Sequence, residues 1–142
     1  METNNMDVKA FLEQAEHLDA LINSHVAELD SYRRLSLTIG SSRLEERVSH
    51  SSPKEAPYIK WVERIVDKER EINEEIDRLV TVKMEISRFI DKVNNPQWQY
   101  ILRSRYIMGC SWEQIAKGID CSISTVKRTH QKALDVLKKI GE

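Results

Sequence analysis

Residues 108–131, MGCSWEQIAKGIDCSISTVKRTHQ, carry the punctuation of two helices joined by a tight turn. Gly109 stands where one helix must end, because a residue without Cβ adopts the left-handed backbone past a helix terminus at little cost. Ser111 is followed three residues later by Gln114, the spacing of a capping box in which two orphaned N–H groups are satisfied reciprocally. A short helix is therefore predicted from Trp112 to about Gly118 or Ile119, with Trp112, Ile115, Ala116 and Ile119 on its apolar face. Asp120-Cys121-Ser122 makes the turn, and Ser122 caps a second helix, about twice as long. In that helix Ile123, Val126, His130, Ala133, Leu137 and Ile140 recur at helical spacing. Ala116 is small where two helices must cross closely, and Val126 faces the same crossing. This is the grammar of a helix-turn-helix.

The opposite face of the second helix shows Ser124, Thr125, Lys127, Arg128, Gln131 and Lys132, with no acid before Asp135. Such a face suits a major groove, where Arg reads guanine and Ser, Thr and Gln contact base edges or phosphate. Ser122, at the amide-rich start of the helix, can contribute to a phosphate site. Lys127 and Arg128 are the leading candidate contacts.

Tyr106-Ile107-Met108-Gly109, Ser111-Trp112-Glu113-Gln114-Ile115-Ala116 and Ser122-Ile123-Ser124-Thr125-Val126-Lys127-Arg128 resemble region 4 of sigma-70-type factors, the part that binds the promoter −35 element. The likeness runs roughly from Pro96 to Ile140. The whole chain resembles the small phage-encoded region-4-like regulators of Gram-positive bacteria, including ArpU/RinA-type late-gene activators and related families of unknown function. One departure is Asp120, where the common pattern has Gly. The resemblance implies a phage or prophage transcriptional regulator acting with host RNA polymerase in the bacterial cytoplasm.

Composition agrees with helices and a divided charge. The 142 residues are 40% apolar and 32% charged, with few aromatics, four Gly and three Pro. The net charge of −1 splits into eight Lys or Arg against four acids in residues 96–142, and fourteen against nineteen in residues 1–95. The basic part coincides with the proposed DNA reader, as phosphate binding requires. No apolar run reaches the length of a membrane span, and the N-terminus lacks the pattern of a signal peptide. Cys110 and Cys121 flank the short helix without metal or redox spacing and are read as reduced, partly buried residues. His17, His25, His50 and His130 lie far apart in sequence and belong to no metal or nucleophile motif. No enzymatic activity, metal or cofactor is expected.

Before Pro96 the pattern is one of long helices. Asp7 is placed to cap a helix running to about Ile39, with Phe11, Leu18, His25, Tyr32 and Ile39 in one heptad row and Val8, Ala15, Ile22, Leu29 and Ser36 in the other. Gly40 is expected to end it, and 40–56 to form a mobile loop, with a short helical turn over 43–48 as an alternative. Pro57 fits the first turn of a helix reaching about Val93, before Asn94-Asn95-Pro96. Its rows are Tyr58, Ile65, Ile72, Leu79, Ile86 and Val93, and Val62, Glu69, Ile76, Lys83 and Ile90. Glu69 and Lys83 interrupt the second row, either to restrict pairing or as side chains snorkelling at a loose edge.

The fold expected is thus all-α: a long helical hairpin or coiled coil over residues 1–95, then a three-helix DNA-binding domain over 96–142. The long helices pair within one chain or join two copies in a homodimer. Two rival functions share these features: a DNA-packaging protein of the terminase small-subunit kind, and a helical adaptor or anti-sigma-like protein that binds a protein partner.

Overall fold

The computed structural model describes residues 4–47 and 57–141, with side chains over 8–38 and 59–141. Every element among them is helical: α1 Asn4–Arg47, α2 Pro57–Ile90, α3 Pro96–Tyr106, α4 Trp112–Gly118 and α5 Ile123–Ile140. The all-α expectation holds. No described helix is long and apolar enough to cross a membrane. Two compact units are formed, one by Met1–Asp19 with Arg78–Glu142, the other by Ala20–Asp77.

In the first unit, Val8, Leu12 and Ala15 of α1 are buried, as are Leu79, Val82, Ile86 and Ile90 of α2 and Val93 just beyond it. Phe11 meets Phe89 edge to face, with ring centroids 5.5 Å apart. The junction into α3 is built locally. Asn95 takes an extended backbone and its side chain accepts from the N–H groups of Gln97 (3.0 Å) and Trp98 (3.2 Å). Pro96 at the first helical position loses nothing, since its missing N–H falls where the helix has no partner to offer. Gln99 Nε2 donates to the Val93 carbonyl at 2.7 Å, tying the new helix to the turn before it.

In the second unit α1 and α2 run antiparallel. Tyr32 stacks near Trp61 (6.2 Å), Arg33 reaches Glu69 (2.5 Å), Lys68 lies 3.4 Å from Glu28, and His25 Nδ1 sits 2.6 Å from Glu75 Oε1. Ile22, Leu29 and Ile72 are buried among them.

Three expectations about the long helices are corrected. Asp7 does not open α1, which already begins at Asn4. Gly40 does not end it either: the helix passes through to Arg47. One glycine inside a helix costs only about 1 kcal/mol relative to Ala, and Leu44, Glu45, Glu46 and Arg47 are good helix formers. The remainder of the expected loop, 48–56, lies outside the described residues. The third correction concerns the second row of α2. Val62 and Ile76 are 45% and 40% exposed, and Glu69 pairs at the surface with Arg33. The buried companions of Ile72 and Leu79 stand three residues on rather than four, at Glu75 and Val82. The charges in the seam are therefore Glu75 and Lys68, and they are there because α1 presents His25 and Glu28 opposite them.

Candidate nucleic-acid interface

The helix-turn-helix is assembled from backbone chemistry that the sequence announces. Past α3, Gly109 has φ +70, and the Cys110 N–H donates to the Ser104 carbonyl at 2.8 Å. At α4 the capping box is complete: the Gln114 N–H donates to Ser111 Oγ (3.2 Å) and the Ser111 N–H donates to Gln114 Oε1 (2.8 Å). In the turn Asp120 has φ 55, the left-handed conformation that Gly adopts most easily, and the Cys121 N–H donates to the Ala116 carbonyl at 3.0 Å. Ser122 caps α5 by accepting from the Thr125 N–H at 3.2 Å.

Asp120 is the one non-glycine residue with positive φ among those described, so its backbone energy can be tested alone. Asp120→Gly is expected to stabilise the protein by up to about 1 kcal/mol, since the lost Cβ strain outweighs the greater freedom of Gly in the unfolded chain. A rise in urea midpoint at unchanged slope is the expected readout. A fall would mean that the Asp side chain contributes more than its backbone strain costs.

The core beneath these caps consists of Ile101, Ile115, Ala116 and Val126, with Cys110, Trp112, Ile119 and Cys121 packed against it. Both cysteines are free and half-buried. Ala116 is 5% exposed and Val126 0%, so no larger side chain fits where these helices cross. Ile123 and Ile140, placed in the buried row by their spacing, are exposed to 38% and 39%, because each lies at an end of α5 where the neighbouring helices no longer cover it.

A second layer links α3, α4 and α5 through polar aromatics. His130 is buried, and its Nε2 lies 2.6 Å from the Tyr106 hydroxyl. Trp112 meets the imidazole edge to face at 4.8 Å, and the Arg105 guanidinium lies over the Trp112 ring at 4.4 Å. Burial, then the positive charges of Arg105 and Lys9, lower the His130 pKa to about 4. Burial first, then Glu13, pushes the Tyr106 hydroxyl up to about 12. A neutral imidazole and a neutral phenol thus share this hydrogen bond near pH 7.

The arginines of α3 are committed to structure. Arg103 donates to Ser87 Oγ (2.6 Å) and pairs with Asp91, while Arg105 donates to the Cys110 carbonyl (3.2 Å) and stacks on Trp112. The Tyr106–His130 and Arg105–Trp112 pairs are not legible as pairs in the sequence. Helical spacing turns their residues inward but does not say which rings meet.

All seven candidate contacts are exposed: Ser122, Ser124, Thr125, Lys127, Arg128, Gln131 and Lys132. Ser122 Oγ also lies 2.8 Å from Thr125 Oγ1, and Gln131 Nε2 donates to Asp135 Oδ1 at 3.2 Å. Among the described residues no carboxylate pairs with Lys127, Arg128 or Lys132, whereas Arg103 pairs with Asp91 and Lys138 lies 4.0 Å from Asp135.

A family model described as a protein of unknown function (DUF1492) matches residues 41–138. The chain belongs to the DUF1492 family. Its matched region takes in α2, α3 and α4 and reaches Lys138 in α5, so the DUF1492 unit joins the helix-turn-helix to the long helix before it. No curated protein and no solved structure matches the chain.

Proposed function

We propose that this DUF1492 protein is a sequence-specific double-stranded DNA-binding regulator of transcription. The observation that carries the reading is the exposed face of α5, where Lys127, Arg128 and Lys132 stand unneutralised beside Ser124, Thr125 and Gln131 on a helix seated by a packed core. Phosphate contacts from the lysines and the helix start would set register, and Arg128 would read a base edge, bidentate to guanine. The resemblance to sigma region 4 and to ArpU/RinA-type activators supports phage or prophage late genes as the target and host RNA polymerase as a partner. One such module makes a small footprint, so useful specificity needs a homodimer, adjacent sites or polymerase beside it.

The test is a selection of genomic fragments on the purified protein at two salt concentrations, with mass recorded by light scattering. A short enriched motif, bound with an affinity that falls steeply with salt, is expected. No enrichment at either salt counts against DNA reading by the isolated chain. Arg128→Ala is expected to weaken specific binding by about 1–3 kcal/mol at unchanged helical content. Lys127→Ala is expected to weaken all sequences alike and to flatten the salt slope by about one phosphate contact. Equal binding by the Arg128 variant and the parent would remove Arg128 from the reader.

A further inference from the structure

We propose that His25, Glu71 and Glu75 form a site for a first-row divalent cation of the Zn2+ type, pinning α1 to α2 within the Ala20–Asp77 unit. The inference does not depend on DNA binding. One ligand atom from each of the three side chains lies within 4.8 Å of the others. Glu71 and Glu75 are one helical turn apart on α2 and so share a face, and His25 approaches from α1. Ligands projecting from facing helices are how helical bundles hold metal ions.

Glu75 is the most deeply buried of the three ligands. It is a carboxylate only 7% exposed in a seam that also holds Ile22, Leu29 and Ile72 beside the charged Lys68. Its hydrogen bond to His25 Nδ1, at 2.6 Å, satisfies one direction, but a second carboxylate one turn away adds like charge to a buried one. Lys68 offsets Glu71 at 3.6 Å, yet it is shared with Glu28 at 3.4 Å. A dication neutralises both carboxylates at once and leaves Lys68 to Glu28.

The geometry is within reach of side-chain rotation. Zn2+ takes imidazole nitrogen and carboxylate oxygen at about 2.0–2.2 Å, so tetrahedral ligand atoms stand about 3.4 Å apart. The His25–Glu75 contact must open by under about 1 Å, and the widest pair, within 4.8 Å, must close by at most about 1.4 Å. On binding, the Nδ1 proton leaves: an imidazolium releases it to solvent, and a neutral ring shifts to the tautomer protonated at Nε2. Three protein ligands leave a fourth position for water. One nitrogen and two carboxylate donors suit Zn2+ better than Mg2+, which demands octahedral oxygen.

The experiment uses the full chain stripped with chelator, titrated with ZnCl2 by calorimetry and melted with and without the ion, MgCl2 serving as control. One Zn2+ per chain, with a rise in melting temperature that chelator reverses and Mg2+ does not reproduce, is expected. Glu71→Gln replaces an exposed carboxylate by an amide of the same size and is expected to weaken Zn2+ at least about tenfold. His25→Gln is expected to weaken it similarly. Absence of Zn2+ binding by the parent, or equal binding by both variants and the parent, would overturn the site: His25 and Glu75 would then be a seam ion pair only, or the ion would sit elsewhere, as on Cys110 and Cys121.

Discussion

Val126→Asp unfolds the helix-turn-helix. Val126 is fully buried where α5 crosses Ile101, Ile115 and Ala116, and no cation among the described residues lies in that cluster to pair with a carboxylate. Asp there either stays charged without a partner or takes up a proton and remains an unsatisfied polar group. The cost is on the order of several kcal/mol, comparable to the whole stability of a small domain. Hydrogen exchange is the measurement that localises it, through lost protection of the amides of α3, α4 and α5. Val126→Ala separates charge from cavity, because it removes two methyl groups and costs roughly 2 kcal/mol. If the Asp variant melted like the parent, Val126 would not face the core.

The second large effect comes from acid. The His130 imidazole is held neutral, with a folded-state pKa of about 4 against the ordinary 6.5. As pH falls through 6.5 the unfolded chain gains a proton there that the folded chain refuses until about pH 4. Folded stability due to this group is therefore complete above about pH 6.5 and is lost progressively between about 6.5 and 4. Each tenfold difference in proton affinity between the folded and unfolded chain corresponds to about 1.4 kcal/mol, so the loss is on the order of 3 kcal/mol at most. Glu13 and Glu16 act on the Tyr106 hydroxyl that shares the hydrogen bond, so the acid response of the whole protein is not that of His130 alone. The difference between two proteins is thus the clean measurement. His130→Gln keeps an amide within reach of Tyr106 but does not titrate, and its urea midpoint should fall less steeply over this range than the parent's. Identical slopes would mean that His130 is protonated in the folded state as readily as in the unfolded one.

Much of the candidate interface is legible in the sequence because it is local. Ser111 with Gln114, Ser122 before Ile123, Gly109 and Asp120 each act on backbone groups within a few residues, so their spacing states their role, and each adopts the expected geometry. The same holds for the α5 face, where one helical period separates Val126, His130, Ala133 and Leu137 from the polar residues opposite. The long helices are less legible. A heptad offers companions at both three and four residues from Ile72, and both rows contain charges, so periodicity does not choose Glu75 over Ile76. Gly40 misleads because a breaker acts statistically, and a helix can carry one glycine when the residues beyond it favour helix.

The sequence by itself determined the helical class, the caps, the turn and the polar face of α5, since all of these depend on interactions within one or two turns of chain. Only the tertiary structure decided which side of α2 meets α1, that Arg103 and Arg105 brace α3 rather than stand free, and that His130 meets Tyr106 and Trp112. Those contacts join residues far apart in sequence, or depend on the direction in which helices cross. They are selected by the shape and charge of the partner surface, which periodicity along one helix does not encode.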